Sequence, residues 1–197
     1  LIRNHAEAVV AGKGIEDLNN MIGYNFRLGE IECAIGIEQI KKLEGIVDKR
    51  QNLASKLTDG LKDLKGISTP YIKADCTHAY YVYPMQLDVE NLGISREKIC
   101  EALMAEGVEG LMQGYANIHM LPMYQKKLAY GKNGFPWKSD LNNREISYEK
   151  GICPIAEELH EKSFLGYEMC LHELDEEMIN QLVRAFHKVW LNLDDLK

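Results

Sequence analysis

Cysteine is scarce in this sequence, and what there is does not pair. The five residues (Cys33, Cys76, Cys100, Cys153, Cys170) are odd in number, widely spread and without a CxxC. That excludes a disulfide framework and points to a reducing compartment, the cytoplasm. No stretch reaches the roughly 18 apolar residues of a membrane helix, and Leu1-Ile2-Arg3-Asn4-His5 does not open a secretory signal. Basic charge is in deficit: 23 Lys and Arg face 30 Asp and Glu, for a net charge of -7. No overall field draws the chain to nucleic acid or to an anionic membrane, and the pairs Lys41-Lys42 and Lys126-Lys127 read as solvated surface. Walker loops, dinucleotide-binding glycine fingerprints, HExxH helices and GxSxG elbows are all missing. Cys153 with His160, or Cys170 with His172, match no closed zinc spacing, so no metal is expected. There is no initiator methionine before Leu1 either, and the chain reads as a fragment.

What is present is globular in composition, 46% hydrophobic and 27% charged over 197 residues, enough to bury a core. Residues 6–11 suggest a short helix, and Gly12-Lys13-Gly14 a turn. From Leu28 to Leu64 an amphipathic stripe (Ile40, Leu43, Val47, Arg50, Ala54, Leu57, Leu61, Leu64) predicts a long connecting helix, or two helices meeting near Gly45. His78 to Leu87 is rich in β-formers and predicts a strand, with Pro84 marking an edge or a bulge. Ser95 caps a helix that ends at Gly107, with Ile94 stapled onto Ile99. Val108 to Tyr115 predicts a second strand, and Gln125 to Ser147 a long loop of the functional or disordered kind. Pro154 opens a helix ending near Ser163, where Glu157 and Glu158 suit the positive helix end. A third strand is expected near Met169 to Leu171. Asp175 caps a closing helix whose buried face runs Met178, Ile179, Leu182, Val183, Phe186, Val189, Trp190, Leu193. The fold class is therefore α+β.

Two clusters carry chemistry. In Gly23-Tyr24-Asn25-Phe26-Arg27, an amide and a guanidinium two residues apart can face the same way and offer donors to a phosphate or carboxylate. A plain helix-entry turn accounts for the same residues. In Gln113-Gly114-Tyr115-Ala116-Asn117-Ile118-His119, a histidine follows a strand end beside the long loop, a common binding position and equally a place for a structural histidine.

The segment from Gly23 to Leu43, with Asn25, Arg27, Glu30, Ala34, Ile35-Gly36 and Gln39 in their places and Arg50 beyond, resembles the hallmark of the DegT/DnrJ/EryC1/StrS aminotransferases. His78-Ala79-Tyr80-Tyr81-Val82-Tyr83 and Cys153-Pro154-Ile155-Ala156-Glu157-Glu158-Leu159-His160 are similar to later segments of that family, in the same order. The resemblance implies the C-terminal small domain of an aspartate-aminotransferase-like fold, with a small, mostly antiparallel sheet packed by helices. Residues 1–27 would be the tail of the large cofactor domain, 28–64 the connecting helix and 65–197 the small domain. It implies pyridoxal phosphate as cofactor, a homodimer with shared active sites, and transfer of an amino group from glutamate to a nucleotide-linked keto-sugar. By the same resemblance Asn25 reaches the cofactor phosphate of the neighbouring protomer, while Arg27 and His119 lie on the substrate side. The family's Schiff-base lysine has no counterpart here and would lie upstream of Leu1, leaving this segment without a catalytic residue and inactive alone. A dehydratase of the same fold and a stand-alone binding or dimerisation module remain alternatives.

Overall fold

The computed structural model describes Arg3 and residues 23–140, 144–170 and 173–196. The expected short helix at 6–11 and the turn at 12–14 fall outside these residues. Two compact units divide between Val47 and Asp48.

In the first unit, residues 23–29 lead without regular structure into α1 (Glu30–Ile40). The stripe predicted over 28–64 forms two helices, and the break comes at Lys41-Lys42, before α2 (Leu43–Leu61). Gly45 was the expected joint, but it lies in the first turn of α2. There the amides have no intrahelical partners, and a glycine disrupts little. Two lysines after α1 suit the negative end of its dipole.

The second unit holds the core. α2 continues into it and buries Leu53, Ala54, Leu57 and Leu61. Then follow β1 (Ile67–Ser68), β2 (Tyr83–Leu87), α3 (Val89–Leu92), α4 (Arg96–Ala105), β3 (Leu111–Met112), α5 (Pro122–Gln125), α6 (Pro154–Glu158), β4 (Phe164–Tyr167) and α7 (Glu176–Leu191). The four strands lie in the order β1-β2-β4-β3, each pair antiparallel. Tyr83, Met85 and Leu87 alternate inward along β2 and meet Leu165 and Tyr167 of β4, Ile99 and Leu103 of α4, and Ile179, Leu182, Phe186 and Val189 of α7. Each such side chain, fully buried, contributes about 1.5–3 kcal/mol of transfer free energy. Tyr83 is buried with its hydroxyl 2.7 Å from Thr58 Oγ1; burial pushes its phenol up to about 12.

Strand lengths depart from expectation for visible reasons. The His78–Leu87 run keeps only its second half, because Tyr80 takes a left-handed φ of 50°, which ends extended structure. Pro84 sits on a central strand, yet β1 pairs only with Gln86 and Leu87, so the proline occupies a stretch with one open side. Positive φ at Gly110 and Gly114 trims β3 to two residues. The last strand is Phe164–Tyr167, before the expected Met169; Leu171 lies outside the described residues.

The helix starts match closely. Ser95 Oγ accepts from Lys98 N, Asp175 from Met178 N, and Pro154 opens α6, which continues as a π-helical turn over Leu159–Ser163. Among the described residues no helix is long and apolar enough to cross a membrane.

Helices α2 and α7 touch at Gly60, where a Cβ would lie 2.5 Å from Val183 Cγ2. Beside that contact His187 Nε2 donates to Gly60 O at 2.8 Å and Trp190 Nε1 to Lys65 O at 2.8 Å. Gly60→Ala improves helix propensity by about 1 kcal/mol, but overpacking costs about 1–3 kcal/mol. The variant is expected to unfold at lower urea than the parent; equal or greater stability would show that the two helices can part without loss.

Candidate functional site

The first candidate lies in unit one. Tyr24 and Phe26 stack with ring centroids 4.9 Å apart and planes 12° from parallel. Tyr24 and Phe26 therefore share a side of this segment; Asn25 and Arg27 alternate with them in sequence. Both are exposed. The amide and the guanidinium thus stand open to solvent, just before the N-terminus of α1. That helix end carries Glu30 and Glu32 in its first turn and no side-chain cap. Its dipole is already complemented by carboxylates, so an anion here would be held by the side chains of residues 25 and 27 rather than by the helix end.

His119, in the second unit, lies in a short 3-10 turn (Ile118–Met120) after β3. Its side chain is only 10% exposed and its Nε2 is 2.8 Å from Glu157 Oε1, a carboxylate 7% exposed. Glu157 also accepts from Gly151 N at 2.8 Å and from Cys153 N at 3.2 Å. Burial alone would raise its pKa; the two amides and the imidazole outweigh that and hold it below its ordinary 4.5. An ionised carboxylate only accepts, so the proton of this bond sits on His119 Nε2. Glu157 therefore does more than complement a helix dipole: it fastens the loop before α6 and the turn of His119 to one another. The sequence signal was a carboxylate near a helix start that could reach back to the cap amide, as capping boxes do.

Arg96 escaped the sequence reading altogether. At the first position of α4 a cation opposes the helix dipole, yet this residue is 6% exposed. Its Nη1 donates to His160 O at 2.8 Å and Gln113 O at 3.1 Å, and Nη2 to Glu97 Oε1 at 2.9 Å and Glu161 O at 3.3 Å. It gathers the carbonyls of the π-helical turn and fixes the start of the Gln113–His119 segment. Gln125 carries the order onward, its Nε2 donating to His119 O at 2.7 Å and Tyr148 O at 2.6 Å. The long loop expected over 125–147 is anchored in turn by the rings of Tyr124, Trp137 and Tyr148, with Trp137 Nε1 donating to Tyr148 Oη at 2.9 Å.

All five cysteines are free thiols, and burial pushes Cys100 up to about 11, which makes it inert at neutral pH. Every described lysine is exposed except Lys127, which is half-buried. No described lysine is enclosed in a pocket of the kind that desolvates an amine for Schiff-base chemistry.

Comparison with known proteins adds the family dimension. The model of the DegT/DnrJ/EryC1/StrS aminotransferase family matches residues 1–162. The UDP-4-amino-4,6-dideoxy-N-acetyl-beta-L-altrosamine transaminase of Campylobacter jejuni is 30% identical over 129 residues, 65% of this chain and 33% of that protein. The L-glutamine:scyllo-inosose aminotransferase of Streptomyces griseus is 27% identical over 185 residues, 92% of this chain and 42% of that one. Among solved structures, S. venezuelae DesV, crystallised with a ketimine intermediate, superposes with a TM-score of 0.67 at 19% identity, covering 96% of this chain and 42% of DesV. That likeness shows the fold. The chain spans about a third to two-fifths of the length of these curated relatives.

Two outcomes are expected. Arg96→Ala takes the guanidinium from the carbonyls of Gln113 and His160, both on half-buried residues, and is expected to cost about 3–5 kcal/mol in denaturant unfolding; a loss below 1 kcal/mol would mean water replaces the guanidinium. For Glu157 the folded state holds its proton less tightly than the unfolded chain. Its contribution is therefore complete above pH 4.5 and disappears as pH falls below that value through the lowered folded pKa. Thermal melts of Glu157→Gln and parent should differ most near neutrality and converge in acid. Curves that stay parallel down to pH 3 would remove the carboxylate from the acid response.

Proposed function

The chain belongs to the DegT/DnrJ/EryC1/StrS aminotransferase family, and from that membership we propose that it serves as the C-terminal part of an enzyme moving an amino group from glutamate onto a nucleotide-linked keto-sugar. The observation that carries this reading is the family match over residues 1–162, within which Asn25 and Arg27 are both exposed. The Campylobacter relative, whose name specifies a UDP-linked amino sugar, supports the substrate class.

Pyridoxal phosphate, the cofactor of this family, supplies an electron sink at the carbon that exchanges its amino group. The residues of this chain fit its phosphate end and not its reactive end. In this reading the Asn25 amide donates to a phosphate oxygen in the neighbouring protomer of a homodimer, without adding charge. Arg27 offers a planar fork that holds a carboxylate of the amino donor or an anionic group of the substrate. His119 stands on the substrate side; with Nε2 engaged by Glu157, its ring presents only Nδ1 for a further contact. The residues that react with the amino group come from outside this segment, and the five free thiols suit the cytoplasm. Residues 1–27, 28–64 and 65–197 correspond in this proposal to the tail of the large domain, the connector and the small domain.

One observation favours a second reading. The scyllo-inosose aminotransferase aligns over 92% of the chain, against 65% for the UDP-sugar enzyme. The acceptor would then be a keto-cyclitol without a nucleotide, and glutamine the donor.

The test is to offer the complete enzyme keto-sugar nucleotides and a keto-cyclitol, each with glutamate or glutamine, and to identify the aminated product by mass spectrometry. Amination of the nucleotide-linked ketone is expected; amination of the cyclitol alone overturns the proposal. In the same enzyme Asn25→Ala removes one hydrogen bond to a charged group, worth about 1.5–3 kcal/mol, so cofactor affinity should fall at least about tenfold. Unchanged affinity would dismiss Asn25 as the phosphate donor. The 197-residue chain alone, mixed with pyridoxal phosphate, should develop no absorbance band that borohydride reduces.

A further inference from the structure

From Gly110 to Ser139 the chain contains no Asp or Glu, although it carries 30 acids in 197 residues. The same stretch holds Lys126, Lys127, Lys132 and Lys138 and five aromatic residues. Among the described residues none of these four lysines pairs with a carboxylate, whereas Lys41, Lys49, Lys56, Lys62, Lys150 and Lys188 each do. We propose that the loop Tyr124–Lys138 is an anion-binding element that receives the diphosphate and base of a nucleotide. The inference rests on the nucleotide-linked substrate of the preceding reading and assigns its recognition to this loop.

Three features make the loop a built surface rather than a floppy basic tail. Its base is the Tyr124–Trp137–Tyr148 ring cluster, tied by the Trp137–Tyr148 hydrogen bond. Its tip closes on itself through an isolated bridge, with Tyr130 N donating to Phe135 O at 3.3 Å and Lys138 N to Gly134 O at 2.9 Å. At the centre lies Gly134, buried, with φ +81°. A Cβ built there would meet the Lys138 stem at Cδ, 3.0 Å away, and the backbone carbonyl of Lys127 at 3.4 Å, so the Lys138 side chain lies against the loop backbone at Lys127. Lys127 itself takes a left-handed φ of 49°, a strained conformation for a residue with a Cβ, held by its surroundings.

The chemistry of the occupant follows. Four ammonium groups on one acid-free loop, none with a carboxylate partner among the described residues, repel one another and favour a multivalent anion beside them. Tyr130 and Phe135, 72% and 46% exposed with ring centroids 6.1 Å apart, offer apolar faces beside that charge, as a stacked base requires. A polynucleotide does not fit, because the basic island is surrounded by a chain of net charge -7. Lys126-Lys127, solvated surface by sequence alone, becomes part of a site once the fold brings Lys138 alongside.

Isothermal titration of the 197-residue chain with uridine 5′-diphosphate, inorganic pyrophosphate and uridine tests this directly. The diphosphate nucleotide should bind more tightly than pyrophosphate by about 5- to 150-fold, the range of one stacked base. Lys127→Glu/Lys138→Glu should weaken it by more than about tenfold with an unchanged circular dichroism spectrum, and salt should weaken the parent. No binding of any probe, or equal binding by the double variant, overturns the proposal; equal binding of nucleotide and pyrophosphate overturns its base-stacking half. In the complete enzyme the double variant should raise KM for a nucleotide-linked ketone while kcat holds. If that substrate is aminated and its KM does not move, the loop inference fails alone. If only a cyclitol is aminated, the substrate reading fails, and the titration still judges the loop.

Discussion

A single buried guanidinium holds the second unit's polar side together. Arg96 stands where helix electrostatics disfavours it, at the positive end of α4, and is kept there by the carbonyls of Gln113, His160 and Glu161. A π-helical turn leaves carbonyls poorly satisfied, and a planar fork with five donors collects several of them at once. The exit from β3, the end of α6 and the entry into β4 are thereby fixed against one helix. What those segments carry inherits that order.

Downstream of this anchor the polar architecture proceeds by hand-over. Glu157 joins His119 to the amides before α6, and Gln125 joins the His119 carbonyl to Tyr148. Tyr148 closes the aromatic cluster beneath the basic loop. Each link satisfies a buried or half-buried polar group, and leaving one unmade costs more than making it gains. A loop that composition marks as irregular becomes a preorganised surface in this way. The apolar core plays a different part: it sets the sheet against α2, α4 and α7 and leaves the opposite edges for chemistry.

The helices were legible because their signals are local. Ser95, Pro154 and Asp175 each start a helix where a cap or a fixed φ demands it, and the period of Ile179, Leu182, Phe186 and Val189 survives into the packed face of α7. The strands were less so. Tyr80 belongs to a run of β-formers and yet adopts a left-handed conformation, with its amide bonded to His78 Nδ1 at 2.8 Å. Only the fold makes that conformation affordable, and no propensity scale contains it. The break at Lys41-Lys42 was missed because glycine was the obvious candidate, and its position within a helix, not its identity, decides its effect.

By itself the sequence determined the α+β class, the helix starts, most of the buried face of α7 and the family, because each depends on neighbours within a few residues or on a linear pattern; the stripe over 28–64 is buried only from Leu53 on, while Ile40 and Leu43 are exposed. Tertiary structure alone decided which polar groups meet. Arg96 finds carbonyls more than sixty residues away, Glu157 finds an imidazole 38 residues earlier, and the Lys138 stem lies over a buried glycine beside the Lys127 carbonyl. The physical reason is that a hydrogen bond or an ion pair acts over about 3–4 Å in space, and distance in space is fixed only after the core has closed.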